Sequence, residues 1–143
     1  KAGKLPAKMH FKLSAHVGHG NPASFKMLEN LGADTINPVR DLSLPMISAL
    51  RQTVKVPIDV HTDNPPGSGG FIRVYEAPEM VRVAAPIHLK TGNSVIGGHG
   101  EITTAQTGID MARQAAIVKE FMERYYPEAV QSKNGLPTMS IPE

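Results

Sequence analysis

Four short segments of this chain alternate apolar with polar residues, and each is followed by a stretch with helical spacing. Strand and helix in alternation imply a parallel sheet, because each helix returns the chain to begin the next strand in the same direction. The strands are predicted over Phe11–Val17, Asp34–Asn37, Pro57–His61 and Ile87–Lys90. Helices are predicted over Ala23–Leu31, Leu44–Thr53 and Ala77–Ala84. Gly32 is a suitable stop for the first, and Pro45 and Pro78 fall in the tolerant first turns of the others. A longer helix is predicted over Thr104–Tyr126 and ends before Pro127. Thr103 and Gln106 have capping-box spacing, and Met111, Ala115, Val118, Met122 and Tyr125 form its expected buried stripe. Residues 128–143 read as a mostly irregular tail.

With 143 residues, the chain falls short of the roughly 200 needed for a whole (β/α)8 barrel. The expected fold class is therefore α/β: four βα units with parallel strands, half of or the C-terminal part of a TIM (β/α)8-type barrel, as one partial domain over 1–143. The chain does not begin with Met, which adds to the expectation that more protein precedes it. Bare strand edges invite pairing, so a second half-barrel is expected, either an N-terminal half or another copy in a homo-oligomer.

Composition excludes several functions. The absence of cysteine removes disulfide scaffolds, thiolate zinc sites and cysteine nucleophiles. Basic residues are scattered among nearly as many acidic ones, and only 5% of residues are aromatic, which does not describe a nucleic-acid surface. No apolar run approaches the ~20 residues of a membrane span. The N-terminus is basic but lacks the hydrophobic region of a signal peptide, so the chain reads as cytoplasmic.

A parallel strand covered on both faces should be almost continuously apolar. Here Lys12, Ser14 and His16 oppose Phe11, Leu13, Ala15 and Val17. Asp59 and His61 alternate with Ile58 and Val60, and His88 and Lys90 with Ile87 and Leu89. Thr35 and Asn37 flank Ile36. The apolar set belongs under the helices, so the polar set lines the other face, as a hydrogen-bonded ladder or as a ligand site. The segments after the strands, where α/β sites form, carry further polar groups: His19 and Asn21, then Arg40 and Asp41, then Asp63, Asn64 and Ser68, then Thr91, Asn93, Ser94 and His99.

Three kinds of chemistry are open to this rim. His61 and Asp63, with His16 or His19, have the donor types for a divalent zinc, manganese, magnesium or iron ion. Ser68-Gly69-Gly70 and Gly97-Gly98 are candidates for an anion cradle, with Arg40 and Lys90 adding charge. His61 beside Asp63 or Asp41 suits proton transfer and makes these three the catalytic candidates. Ser68 and Ser94 are weaker candidates, as nucleophiles without an elbow motif. Asn37, Arg40, Asn64, Lys90 and Asn93 are the expected substrate-binding residues, for a small molecule or a peptide.

The run from Gly32 to Pro45, with Pro57–Pro65, Gly69–Arg73, Tyr75–Glu79, Val81–Pro86 and Lys90–Asn93, resembles bacterial collagenase-like peptidases, the thirty-second peptidase family of unassigned catalytic type. The likeness spans most of residues 10–100. It implies a TIM-type barrel and a peptidase-like hydrolase, in a cysteine-free subgroup. The Glu, His and Cys motif of the better-known members is absent, so no catalytic residue carries over. The spacing from Asp41 to His61-Thr62-Asp63 also resembles metal-dependent aldolase and carboxyltransferase barrels. This implies a divalent-metal lyase, with His61 as first metal ligand and Asp63 where a second His would stand. A third expectation is a non-catalytic small-molecule binder on the same rim.

Overall fold

The computed structural model describes residues 3, 6, 9–98 and 100–132. His99 and the tail beyond Ser132 lie outside the described residues.

Among the described residues, six strands and four α-helices follow in the order β1 (Lys12–Leu13), α1 (Pro22–Asn30), β2 (Thr35–Ile36), α2 (Leu44–Thr53), β3 (Ile58–His61), β4 (Asp63–Asn64), β5 (Phe71–Ile72), α3 (Ala77–Ala84), β6 (Ile87–Lys90) and α4 (Ala105–Tyr125). The main sheet is parallel, with strand order β1-β2-β3-β6. Strand order equals chain order, as in a singly wound sheet. This is an α/β fold with a partial (β/α)-barrel-like arrangement.

The alternation read from the sequence sets the two faces. Leu13, Ile36, Ile58, Val60, Ile87 and Leu89 pack against Phe25 and Leu28 of α1, Ile47 and Leu50 of α2, and Met80 and Ala84 of α3. Burying one Leu- or Phe-sized side chain contributes about 1.5–3 kcal/mol, so this layer carries most of the stability. The opposite face is polar.

Four local expectations need correction. The first strand is only Lys12–Leu13, and Ala15–Val17 form a 3-10 turn. The Ser14 hydroxyl accepts from His16 N, and Gly18 closes the turn with φ +82°, a conformation that suits glycine. The proline-rich segment after β3 is a hairpin rather than an open loop, with β4 antiparallel to β5. The capping box of α4 lies one residue later than expected. Thr104 Oγ1 accepts from Thr107 N at 3.1 Å, and Thr107 Oγ1 accepts from Thr104 N at 3.3 Å. Of its expected stripe, only Val118 is fully buried, against Val74 and Ala77. Met111 and Met122 are half-buried, and Ala115 and Tyr125 are exposed. The reason is that α4 leans on α3 and the 3-10 turn Val74–Glu76, beyond the sheet's edge.

No helix among the described residues is long and apolar enough to cross a membrane.

Candidate functional site at the C-terminal ends of the strands

The polar face is organised in two rungs, each crossing neighbouring strands in register. The lower rung centres on Asp59, which is fully buried. Its carboxylate accepts from Thr35 Oγ1 at 2.9 Å, pairs with Lys12 Nζ at 3.2 Å and bonds His88 Nδ1 at 2.7 Å. A buried carboxylate is costly unless it is paired, and here donors from the other three strands of the main sheet meet it.

The upper rung, one step nearer the strand ends, centres on Asn37. Its surroundings orient the amide so that nitrogen donates to Asp59 O (3.0 Å) and Pro38 O (3.2 Å). Its oxygen then accepts from His61 Nε2 at 3.2 Å and from Lys90 Nζ at 3.0 Å. His61 and Lys90 are register partners across β3 and β6. With Nε2 protonated, His61 Nδ1 is an acceptor, and it is buried without a partner among the described residues.

Electrostatics set the charge states here. Burial pushes the His61 pKa down to about 4, and the Lys90 and Arg40 charges push the same way, against Asp63. His61 is therefore neutral at neutral pH. Burial also holds the Lys90 pKa below its usual value; Asp59 pulls it back up, while Lys12 and Arg40 add to the lowering.

Beyond the second rung the chain turns through Asp63 and Asn64, both buried. Asp63 Oδ2 accepts from Ser94 N at 2.7 Å and so holds the 3-10 turn Asn93–Val95 against the hairpin. Asn64 Nδ2 donates to Ser68 O. Asp63 Oδ1, Asn64 Oδ1, Thr91 Oγ1 and Ser94 Oγ are buried and lack partners among the described residues, as does His61 Nδ1. Buried polar atoms normally find partners. This set holds three acceptors and two hydroxyls, which suits ligand or water groups that donate hydrogen bonds.

The structure thus joins Asn37, His61 and Lys90 directly, and brings Arg40 and Asp63 close enough to act on His61. Asp41 is exposed and turns toward Arg73, at 3.9 Å, beside a groove of about 580 Å³ that includes Ser43, Phe71 and Tyr75. His16 lies on the exposed 3-10 turn with Nε2 2.8 Å from an Arg40 nitrogen. His19 is half-buried, and its backbone carbonyl accepts from Val39 N at 2.8 Å. Asn93 is half-buried at the start of its turn.

Both glycine-rich stretches expected to cradle an anion spend backbone N–H groups on the chain itself. The N–H groups of Ser68, Gly69 and Gly70 donate to the carbonyls of Pro65 and Pro66. Gly97 N donates to the carboxylate of Glu101 at 3.1 Å, so the chain supplies that anion itself.

The metal expectation meets a mixed geometry. His61 Nδ1 and Asp63 Oδ1 are both without partners, yet His16 is engaged by a guanidinium. Among the described residues, no group of three or more His, Cys, Asp or Glu is placed to hold a metal.

Sequence reasoning passed over Arg73. It is buried, donates to Leu42 O, and binds Glu76 through Nε at 2.7 Å, tying the hairpin to the loop before α2. Its position three residues before Glu76 was the one available signal. Comparison with protein-family models, curated proteins and solved structures finds no match.

Proposed function

We propose that the C-terminal rim of the sheet is the working end of a barrel-type enzyme acting on a small carboxylate-bearing molecule or peptide end, in hydrolase-type chemistry with His61 as its acid–base group. The observation that carries this reading is the neutral, buried His61, tethered through Nε2 to Asn37 with Nδ1 unpartnered beside the charges of Lys90 and Arg40. An anion bound there would offset those charges. It would raise the His61 pKa toward the range where a histidine exchanges protons efficiently. The unpartnered acceptors favour an anion that also carries hydroxyl or amino groups.

The likeness to collagenase-like peptidases fits this proposal in fold type and peptide-end chemistry. A lyase-type reaction is the second reading, and the half-buried amine of Lys90 favours it. Within the same proposal, further barrel strands cover the two outer strands, from an N-terminal half-barrel or another copy. A groove of about 710 Å³ beside β6, which includes Leu89, Ala115 and Met122, supports that placement.

The test is an NMR titration of the histidine rings with and without lactate, a small hydroxy acid. The His61 pKa should rise from about 4 on saturation, and Arg40→Ala should weaken binding. Lactate binding that leaves His61 unmoved, or no binding at all, would overturn the reading.

A further inference from the structure

Lys90 occupies an unusual position for a lysine. It stands on the polar face at the last residue of β6, half-buried, where most lysines project their amine into water. Its amine has one hydrogen-bond partner among the described residues, the Asn37 oxygen at 3.0 Å. That oxygen is neutral and is shared with His61. The nearest carboxylate rung belongs to Asp59, which is already occupied by Lys12, Thr35 and His88. From β1 and from the segment after β2, Lys12 and Arg40 add positive charge, and from β3 His61 is neutral. A lysine serving only as a charge anchor would gain from a carboxylate partner. This one is held by an amide, among cations.

We infer that Lys90 is a nucleophilic amine that forms an imine with a small carbonyl compound, a 2-oxo acid or aldehyde acid, whose carboxylate faces Arg40. The inference rests on the rim reading above and extends it to a substrate class. The chemistry balances without an added reagent. The nitrogen lone pair attacks the carbonyl carbon, forming the C–N bond, and a proton passes from nitrogen to the former carbonyl oxygen to give a carbinolamine. The C–O bond then breaks, and the oxygen leaves as one water with the second nitrogen proton. The C=N bond remains. Burial, with the Lys12 and Arg40 charges, favours the free amine that this attack needs and outweighs the opposing pull of the Asp59 carboxylate. The arrangement Lys90–Asn37–His61 fixes the amine through a neutral oxygen rather than through a direct ion pair.

Sodium borohydride reduction in the presence of pyruvate tests this, because it converts an imine to a stable secondary amine. Peptide mapping by mass spectrometry then gives the labelling rate of each lysine. At pH 7 Lys90 should be labelled faster than exposed Lys26, Lys55 and Lys119. Lys90→Arg should lose the label at that position and leave the surface lysines unchanged. Labelling of Lys90 no faster than the surface lysines would overturn the inference. Lactate separates the two proposals, because it offers the carboxylate without the carbonyl. Lactate bound at the rim with Lys90 unlabelled defeats the imine alone. Fast labelling of Lys90 that lactate does not slow defeats the carboxylate-binding rim and leaves the nucleophilic amine standing.

Discussion

Replacing Asp59 by Ala should cost about 2.5–7 kcal/mol of folding stability. The figure comes from its three partners taken separately. Thr35 is fully buried, so its hydroxyl loses its acceptor with no water to replace it, at about 1–3 kcal/mol. The His88 bond to an ionised acceptor is worth about 1.5–3 kcal/mol. The Lys12 side chain is 44% exposed and returns to water, so its pair contributes at most about 1 kcal/mol. Urea denaturation followed by circular dichroism is the assay. With a slope of roughly 1–3 kcal/mol/M, the midpoint should fall by about 2 M. Thr35→Val should rescue part of the loss in the double variant, because it removes the orphaned hydroxyl. A loss below about 1 kcal/mol, or strict additivity of the two substitutions, would show that the rung contributes little and that the polar face is held by other means.

His61 makes stability depend on pH with a definite sign. Its folded pKa of about 4 lies below the ordinary 6.5, so the unfolded chain binds a proton that the folded one refuses. Stability should therefore fall as pH drops from about 6.5 toward 4, and His61→Gln should flatten that slope in urea titrations across the interval. Val118→Asp should destabilise by about 3 kcal/mol by burying a charge against Val74 and Ala77; an unchanged thermal midpoint would place α4 elsewhere. Gly92→Ala should cost about 1–3 kcal/mol in the same denaturation assay. Gly92 has φ +90°, and an added Cβ would sit 3.1 Å from Met111 Cβ, where α4 backs the turn.

The alternation of apolar and polar residues made much of this arrangement legible. It placed Thr35, Asp59 and His88 on one face together with Asn37, His61 and Lys90, because a two-residue period needs only the backbone pleat. It failed for His16, where a local Ser14 hydrogen bond competes with strand pairing and wins. It also failed for the hairpin, whose pairing of Asp63 with Ile72 spans a proline-glycine turn that has the composition of a loop. The burial of Arg73 depends on the Leu42 carbonyl 31 positions away, and no local pattern encodes a contact at that distance. The glycine runs misled for a related reason. The N–H groups of Ser68, Gly69, Gly70 and Gly97 are taken by neighbouring carbonyls and by Glu101, which composition does not reveal.

Because strand order equals chain order, this sheet can be built while the chain is being synthesised. Each strand of the main sheet meets an edge already present, and no earlier pair has to open to admit it. The rungs give that growth an end point. Asp59 gains His88, and Asn37 gains Lys90, only when β6 arrives. Until then two buried polar centres each lack a partner. A nascent chain halted before Ile87 should hold its apolar layer loosely and its polar face unfinished, so the last strand to emerge sets when the candidate site is assembled.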